Sequence, residues 1–305
     1  MRSLQLILLV LLVSVSSFGQ KTDSLKANKL KHWKLGIEGG INFNQAYFSD
    51  SWKGGGVNSI AIGSYIFGVA EYNKGKWTWG NNLKLLFGLQ KNKGQEWRKN
   101  IDLIDFTSKV EYRFAKSWRF FGQGNFISQF APGYRYRGVF DTTGRELKDR
   151  ISSFLAPAFI TESFGVEYKP VDWFYINVGA LSLRQTIVKD TSLYRTTSNN
   201  YGVDTGKVFR NQIGFSFETA LDKNIGKTLN IKYKYRAFKD FTTRSADQMI
   251  HRMDLIITAT VIKYIKVSLS GIMIYDVNMD KRVQWNQSLA LGLAYRLANF
   301  KDEKK

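Results

Sequence analysis

Residues 285–297 read WNQSLALGLAYRL, and they divide into two unlike sets. The odd positions are Trp285, Gln287, Leu289, Leu291, Leu293, Tyr295 and Leu297; the even ones are Asn286, Ser288, Ala290, Gly292, Ala294 and Arg296. Successive side chains of a strand point to opposite faces, so this stretch is a strand with one large apolar face and one small or polar face. Residues 228–237 repeat the division, with Leu229, Ile231, Tyr233 and Tyr235 opposite Asn230, Lys232, Lys234 and Arg236. So do 33–43, 104–114 and 209–218: Ile37, Ile41 and Phe43 oppose Lys34 and Glu38, Phe106 and Val110 oppose Asp105, Lys109, Glu111 and Arg113, and Ile213 and Phe215 oppose Arg210 and Glu218.

A soluble sandwich also alternates, with its apolar face inward. Two features point instead to an all-β transmembrane antiparallel β-barrel. The strands run to ten residues or more, the length a tilted membrane-crossing strand needs. The connections also alternate in length. About twelve strands are predicted, at 33–44, 57–71, 77–90, 101–114, 118–130, 158–168, 173–184, 208–220, 228–238, 250–262, 265–275 and 285–297. The even-numbered connections are short, and the odd-numbered ones are longer, with 131–157 and 185–207 the longest. Short periplasmic turns, long extracellular loops and periplasmic termini are the expected layout. Tyr72 and Trp77, Phe114 and Trp118, and Tyr168 and Trp173 flank the short turns, as an aromatic girdle at a membrane interface would. In 57–71 and 158–184 apolar residues fall on both faces, which marks either a plugged bore or a shifted register.

The chain opens MRSLQLILLVLLVSVSSFGQ. Basic Arg2, the apolar run Leu4–Val13 and the small-x-small site Ser17-Phe18-Gly19 read as a secretory signal peptide over 1–19, leaving Gln20 as the mature N-terminus. Residues 20–32 then form a periplasmic segment, 33–300 an outer-membrane barrel and 301–305 a charged tail. Loss of Arg2 leaves 44 basic residues against 25 acidic ones, a net charge of +19. Such a charge suggests nucleic acid for a soluble chain, but no basic run or helix-turn-helix pattern accompanies it, and no nucleic-acid partner is expected. The chain has no Cys, which excludes disulfides, thiolate metal sites and lipoprotein processing. Aromatic residues make up 15% and prolines number three, a strand-rich envelope profile, and no later stretch approaches the ~18 apolar residues of a spanning helix.

Residues 41–59, INFNQAYFSDSWKGGGVNS, hold the run Gly54-Gly55-Gly56. A phosphate loop needs a following helix and a Lys-Ser or Lys-Thr pair; here a strand follows and the pair is missing. Gly226-Lys227-Thr228 fails too, because Leu221 stands where the first glycine belongs. Both are turns.

The string NFNQAYFSDSWKGGGVNS, then Trp77-x-Trp79-x-Asn81-x-Leu83, Asp102 and Asp105 before Tyr112, Gln129-Phe130, and Ile151-Ser152-Ser153-Phe154-Leu155-Ala156-Pro157 resemble a family of Bacteroidota envelope proteins, domain of unknown function 3078. The resemblance covers most of the mature chain. Asn44, Gln45, Trp52, Gly54, Gly55, Phe154 and Pro157 are its most specific positions, and they are expected to be structural. It implies an outer-membrane location and no assigned activity. The segment Gly292–Leu297 further resembles the terminal strand signal read by the barrel-assembly machinery, an expected partner together with outer-membrane lipid and lipopolysaccharide.

No catalytic constellation stands out. There are two histidines, His32 and His251; neither has a Ser two residues on, and His251 and Asp254 differ in parity. Asp102 reads as a loop-end residue and Asp105 as a charge in the bore. No enzyme activity, cofactor or metal is expected. The lumen-facing candidates are Lys84, Lys109, Glu111, Arg113, Arg210, Glu218, Lys232, Lys234, Arg236, Arg252, Asp254 and Arg296, with Lys34, Glu38, Asp105, Arg119 and Lys266 beside them. They form either a salt-bridged ladder filling the bore or a basic lining favouring anions. The expected function is a non-enzymatic pore or a ligand-binding scaffold for small anionic or amphipathic molecules. The alternatives are a docking barrel with a plugged lumen and an outer-membrane enzyme acting on lipid or surface polymer.

Overall fold

A computed structural model describes residues 32–49, 51, 53, 56–197, 200–241 and 249–300. The leader, Trp52, Gly54, Gly55 and the tail 301–305 lie outside the described residues. Fourteen strands follow in order: β1 Trp33–Ala46, β2 Ser59–Lys74, β3 Trp77–Asn92, β4 Arg98–Arg113, β5 Trp118–Ser128, β6 Gly133–Phe140, β7 Glu146–Ser152, β8 Ala158–Val171, β9 Phe174–Ile187, β10 Phe209–Ile225, β11 Leu229–Asp240, β12 Ile250–Ile262, β13 Ile265–Asp276 and β14 Asp280–Ala298. Twelve of them close an antiparallel barrel, in the order β1-β14-β13-β12-β11-β10-β9-β8-β5-β4-β3-β2. β6 and β7 stand apart as a hairpin.

Closure rests on β1 and β14, paired from Gly36↔Ala298 to Phe43↔Leu291, so the alternation of 285–297 meets that of 33–43 face to face. Leu289, Leu291, Leu293, Tyr295 and Leu297 are each more than half exposed, as are Ile37 and Ile41. Phe106, Val110, Phe120, Phe164, Leu181, Phe209 and Ile213 continue that exposed apolar surface around the wall. A soluble monomer keeps its largest apolar patch to about 300–600 Å². A belt this wide, on a sheet with no open edge, is the exterior of a barrel in lipid.

One end of the barrel carries the tight connections 75–76, 114–117, 172–173, 226–228 and 263–264, together with the start of β1 and the end of β14. Gly75 and Gly226 turn there at φ of 63° and 65°, which only glycine adopts without strain. Aromatic rings gather at the same end: Trp77 packs on Tyr112 at 5.0 Å and Trp118 on Tyr168 at 4.9 Å between neighbouring strands, and Phe114 stacks on Phe120 at 4.4 Å across the 114–117 turn.

Three details differ from the expectation. The eleventh connection is not long: β13 and β14 extend until only residues 277–279 separate them, with Met279 N–H bonded to Asp276 O. The 131–157 connection holds the β6–β7 hairpin. The mixed faces of 158–184 come from register shifts between Phe164 and Val166 on β8 and between Gly214 and Ser216 on β10. The backbones nearly touch there: a Cβ on Gly165 would lie 1.9 Å from Val178 O, and one on Gly214 would lie 2.0 Å from Lys239 O. Such bulges exchange the inward and outward sets along β9. In 57–71 the register holds, and Tyr65 turns inward to bond Glu38 at 3.1 Å.

Candidate functional site

The inward face of β4 presents Asp105, Thr107, Lys109 and Glu111 on alternate residues. Asp105, Glu111, Glu167, Glu218 and Asp254 are all under 9% exposed, inside a barrel with a polar bore. Buried carboxylates persist only where cations and donors meet them. Arg236 of β11 donates to Asp105 at 2.6 Å, to Asn125 at 3.0 Å and to Asp254 at 3.5 Å. Arg252 grips both oxygens of Asp254, at 2.9 and 3.0 Å, and Lys84 adds a third contact at 3.3 Å.

The position of these strands in the ring makes the contacts a closure. β4 and β11 lie five places apart around the barrel by one arc, and β3 and β12 five places apart by the other. Arg236–Asp105 and Lys84–Asp254 therefore run across the bore, tied to each other through Arg236–Asp254. Nearer the short-turn end a second group follows. Lys109 bonds Glu111 at 2.5 Å and also Glu167, while Arg119 reaches Glu167 at 3.1 Å. Lys109 also lies 4.4 Å from the centre of the Tyr175 ring, whose hydroxyl donates to Glu218 at 2.8 Å. Lys234 stands opposite Asp254 in register. Six cations (Lys84, Lys109, Arg119, Lys234, Arg236 and Arg252) thus meet five carboxylates. A separate pair, Lys266 with Glu38 at 2.7 Å, includes the Tyr65 hydroxyl.

The remaining candidates lie at the rims. Lys232 pairs with Asp222 at 3.1 Å, both half exposed, and Arg113 donates to Gly75 O at 3.3 Å in a short turn. Exposed Arg296 lies 5.6 Å from the Phe300 ring, and Lys34 reaches Glu71 at 3.6 Å. Arg210 donates to Asn278 at 2.6 Å at the long-loop end.

Between the charge network and the long loops lies a cavity of about 510 Å³. Leu103, Phe121, Phe159, Phe238, Ile250 and Ile274 are among its lining residues. Asn125, Asn177, Glu218, Arg236 and Arg252 line it from the network side, and Arg135, Ile151, Thr197 and Tyr201 from the loops. Ser163, Ser182 and Ser216 join at 2.7–3.0 Å beside the β8–β10 bulges.

The loops over this cavity are tied down by residues scattered in sequence. Asp102 accepts from Phe130 N at 2.8 Å and Ala131 N at 2.9 Å, and pairs with Lys99 at 2.8 Å. Gln129 donates to Ser153 O at 2.9 Å, and Leu155 N bonds Ser128 Oγ at 3.2 Å. Ala156, Val188, Leu193 and Val203 form a small buried core shared by the two long loops. Tyr201 donates to Ile151 O, and burial pushes its phenol up to about 12. Arg150 pairs with Asp190 at 2.6 Å. Among the family positions, Pro157 O accepts from Ser128 Oγ at 3.4 Å and Phe154 is half exposed. Asn44 donates to Leu289 O at 3.1 Å, and Gln45 is exposed at the end of β1. Gly56 lies so close to the Phe48 ring that a Cβ would meet it at 2.6 Å, consistent with a bend.

Glu167, Arg184, Asp276, Gln123 and Asn177 belong to this region and were not among the candidates. Glu167 shares odd parity with Ser163 and was legible; Arg184 was hidden by the bulge that changes parity along β9. His251 lies at 2.6 Å from the Tyr235 hydroxyl, between the rings of Tyr235 and Tyr275, on the face of β12 opposite to Asp254. Among the described residues no group of three His, Cys, Asp or Glu is placed to hold a metal ion.

The model of a family described as protein of unknown function (DUF3078) matches residues 43–134, a shorter stretch than the resemblance suggested, and one that leaves out the Ser152–Pro157 string. No curated protein matches the chain. Among solved structures, the chain is similar to the translocator domain of the autotransporter NalP from Neisseria meningitidis (11% identity over 89% of this chain and 92% of that one, TM-score 0.39). It is also similar to an outer membrane channel from Pseudomonas putida F1 (10%, 87% and 95%, 0.37) and to the NanC porin (8%, 86% and 100%, 0.36). Likeness at this level says nothing of what any of these barrels would share in function.

Proposed function

We propose that this chain is an outer-membrane barrel that binds a small molecule in the cavity beneath its long loops, with the bore held shut below by the ion-pair network. The observation that carries the reading is the pair of salt bridges crossing the bore, Arg236–Asp105 and Lys84–Asp254. An open pore lined by unpaired cations would favour anions. Here the bore cations face nearly as many carboxylates, which removes the support for anion passage. The cavity falls within the ~300–1,000 Å³ of small-molecule sites and combines apolar walls with a few convergent polar groups.

In this reading the leader directs export, the short-turn end and both termini face the periplasm, and the long loops face outward. Lipid, lipopolysaccharide and the assembly machinery are the partners, and the role is not enzymatic. Folded, mutually docked loops also suit a docking barrel, in which the β6–β7 hairpin is the contact surface. Liposome swelling tests the main reading. Vesicles holding the folded protein are expected to swell in small sugars no faster than empty vesicles; rapid swelling would show a standing pore and overturn it.

A further inference from the structure

Seven buried side-chain nitrogen or oxygen atoms among the described residues have no hydrogen-bond partner, and five of these belong to residues lining this cavity. They are Gln123 Oε1 and Asn177 Oδ1, which accept, and Arg184 Nε, Arg236 Nε and Gln284 Nε2, which donate. Asn177 is 2% exposed. A buried polar group left unsatisfied costs about 1–3 kcal/mol, so five around one space mark a place built for a polar occupant.

The charges there balance in number. Arg135, Arg184, Arg236 and Arg252 line the cavity together with Asp102, Glu218, Asp276 and Asp280. Each carboxylate has its own partner: Asp102 has Lys99, Glu218 has Tyr175, Asp276 has Arg184 and Asp280 has Arg282. A charged ligand would bring an uncompensated charge into a desolvated site. A neutral group that both donates and accepts, such as an amide or hydroxyl, matches the amide side chains of Gln123, Asn177 and Gln284 that line the space. The apolar walls, Phe159, Phe238 and Ile274 among them, suit a hydrocarbon or aromatic body.

Resting on the closed-bore reading above, we infer that the cavity takes an uncharged amphipathic molecule, its amide or hydroxyl end against Gln123, Asn177 and Arg236 and its apolar body toward the loops. Three probes with the same chain separate the alternatives: octanamide, octanoate and octylamine. Each is titrated onto the full barrel in phosphatidylcholine nanodiscs near pH 7, with uptake by empty nanodiscs subtracted. Octanamide is expected to bind saturably, with octanoate and octylammonium at least tenfold weaker. Asn177→Leu should weaken octanamide at least tenfold; if that variant fails to fold, Gln123→Leu, which removes the other unpartnered acceptor at the amide end, serves in its place. Preference for either charged probe, absence of saturable octanamide binding, or no effect of the folded variant would overturn the inference. A wild-type barrel that conducts sinks the closed-bore reading itself, whereas a closed barrel preferring octanoate sinks only the ligand class.

Discussion

Arg236 meets Asp105, Asn125 and Asp254 with one guanidinium, and its side chain is 15% exposed. Removing it takes the paired cation from Asp105 in a desolvated bore, while Asp254 keeps Arg252 and Lys84. Breaking a buried pair from one side typically destabilises by about 3–5 kcal/mol. Arg236→Ala is expected to lower unfolding stability by that order in a guanidinium titration of the refolded barrel, and Arg236→Lys to recover little, because a point charge cannot bridge three acceptors. A change below about 1 kcal/mol would show that Asp105 does not depend on this arginine. Outside the membrane, Arg137 holds Asp149 through two bonds, at 2.8 and 2.6 Å, and these keep the Asp149 carboxyl below its ordinary value. The sign is that of a depressed acid: the hairpin contact is present at neutral pH and is lost as pH falls below the ordinary Asp value of about 3.9. A carbon-13 carboxyl titration is expected to place Asp149 below that value, and Arg137→Gln to return it there.

Bulges decide where each strand of the β8–β10 wall points its residues. Gly165 and Gly214 allow backbone contacts that any Cβ would obstruct, whereas Gly80 and Gly124 face open space. Gly165→Ala and Gly214→Ala are expected to cut refolding yield severalfold, read as the heat-modifiable band on a gel, while Gly80→Ala and Gly124→Ala fold as wild type. Equal yields from all four would show that the wall gives way easily at the bulges. The same elements show what the sequence could and could not reveal. Alternation in 285–297 and 228–237 depends only on neighbouring residues, so all twelve barrel strands were legible within a few residues. The β6–β7 hairpin was not, since its apolar residues Val139, Phe140 and Leu147 stay exposed and follow no barrel period. The turn at 277–279 was overlooked because 280–284, DKRVQ, is polar and reads as loop. Arg184 fell to a bulge that no local pattern marks. Parity could gather Asp105, Arg236 and Asp254 as inward residues; that they meet depends on β4 and β11 lying nearly opposite in a closed ring, which is a property of strand number.

At the scale of the molecule, lipid contact and bore filling follow from one alternation. The large apolar set turns outward, and the polar set turns inward, where a twelve-strand ring is narrow enough for long cationic side chains to reach across. The long-loop half of the bore, roofed by loops that share a small core of their own, keeps room for a ligand. The most direct test is single-channel conductance of the folded wild-type barrel in a planar bilayer, alongside an Arg236→Ala/Arg252→Ala variant. A bore closed by its ion pairs gives no stable wild-type conductance and frequent open events in the variant; steady, anion-preferring conductance through the wild type would contradict it.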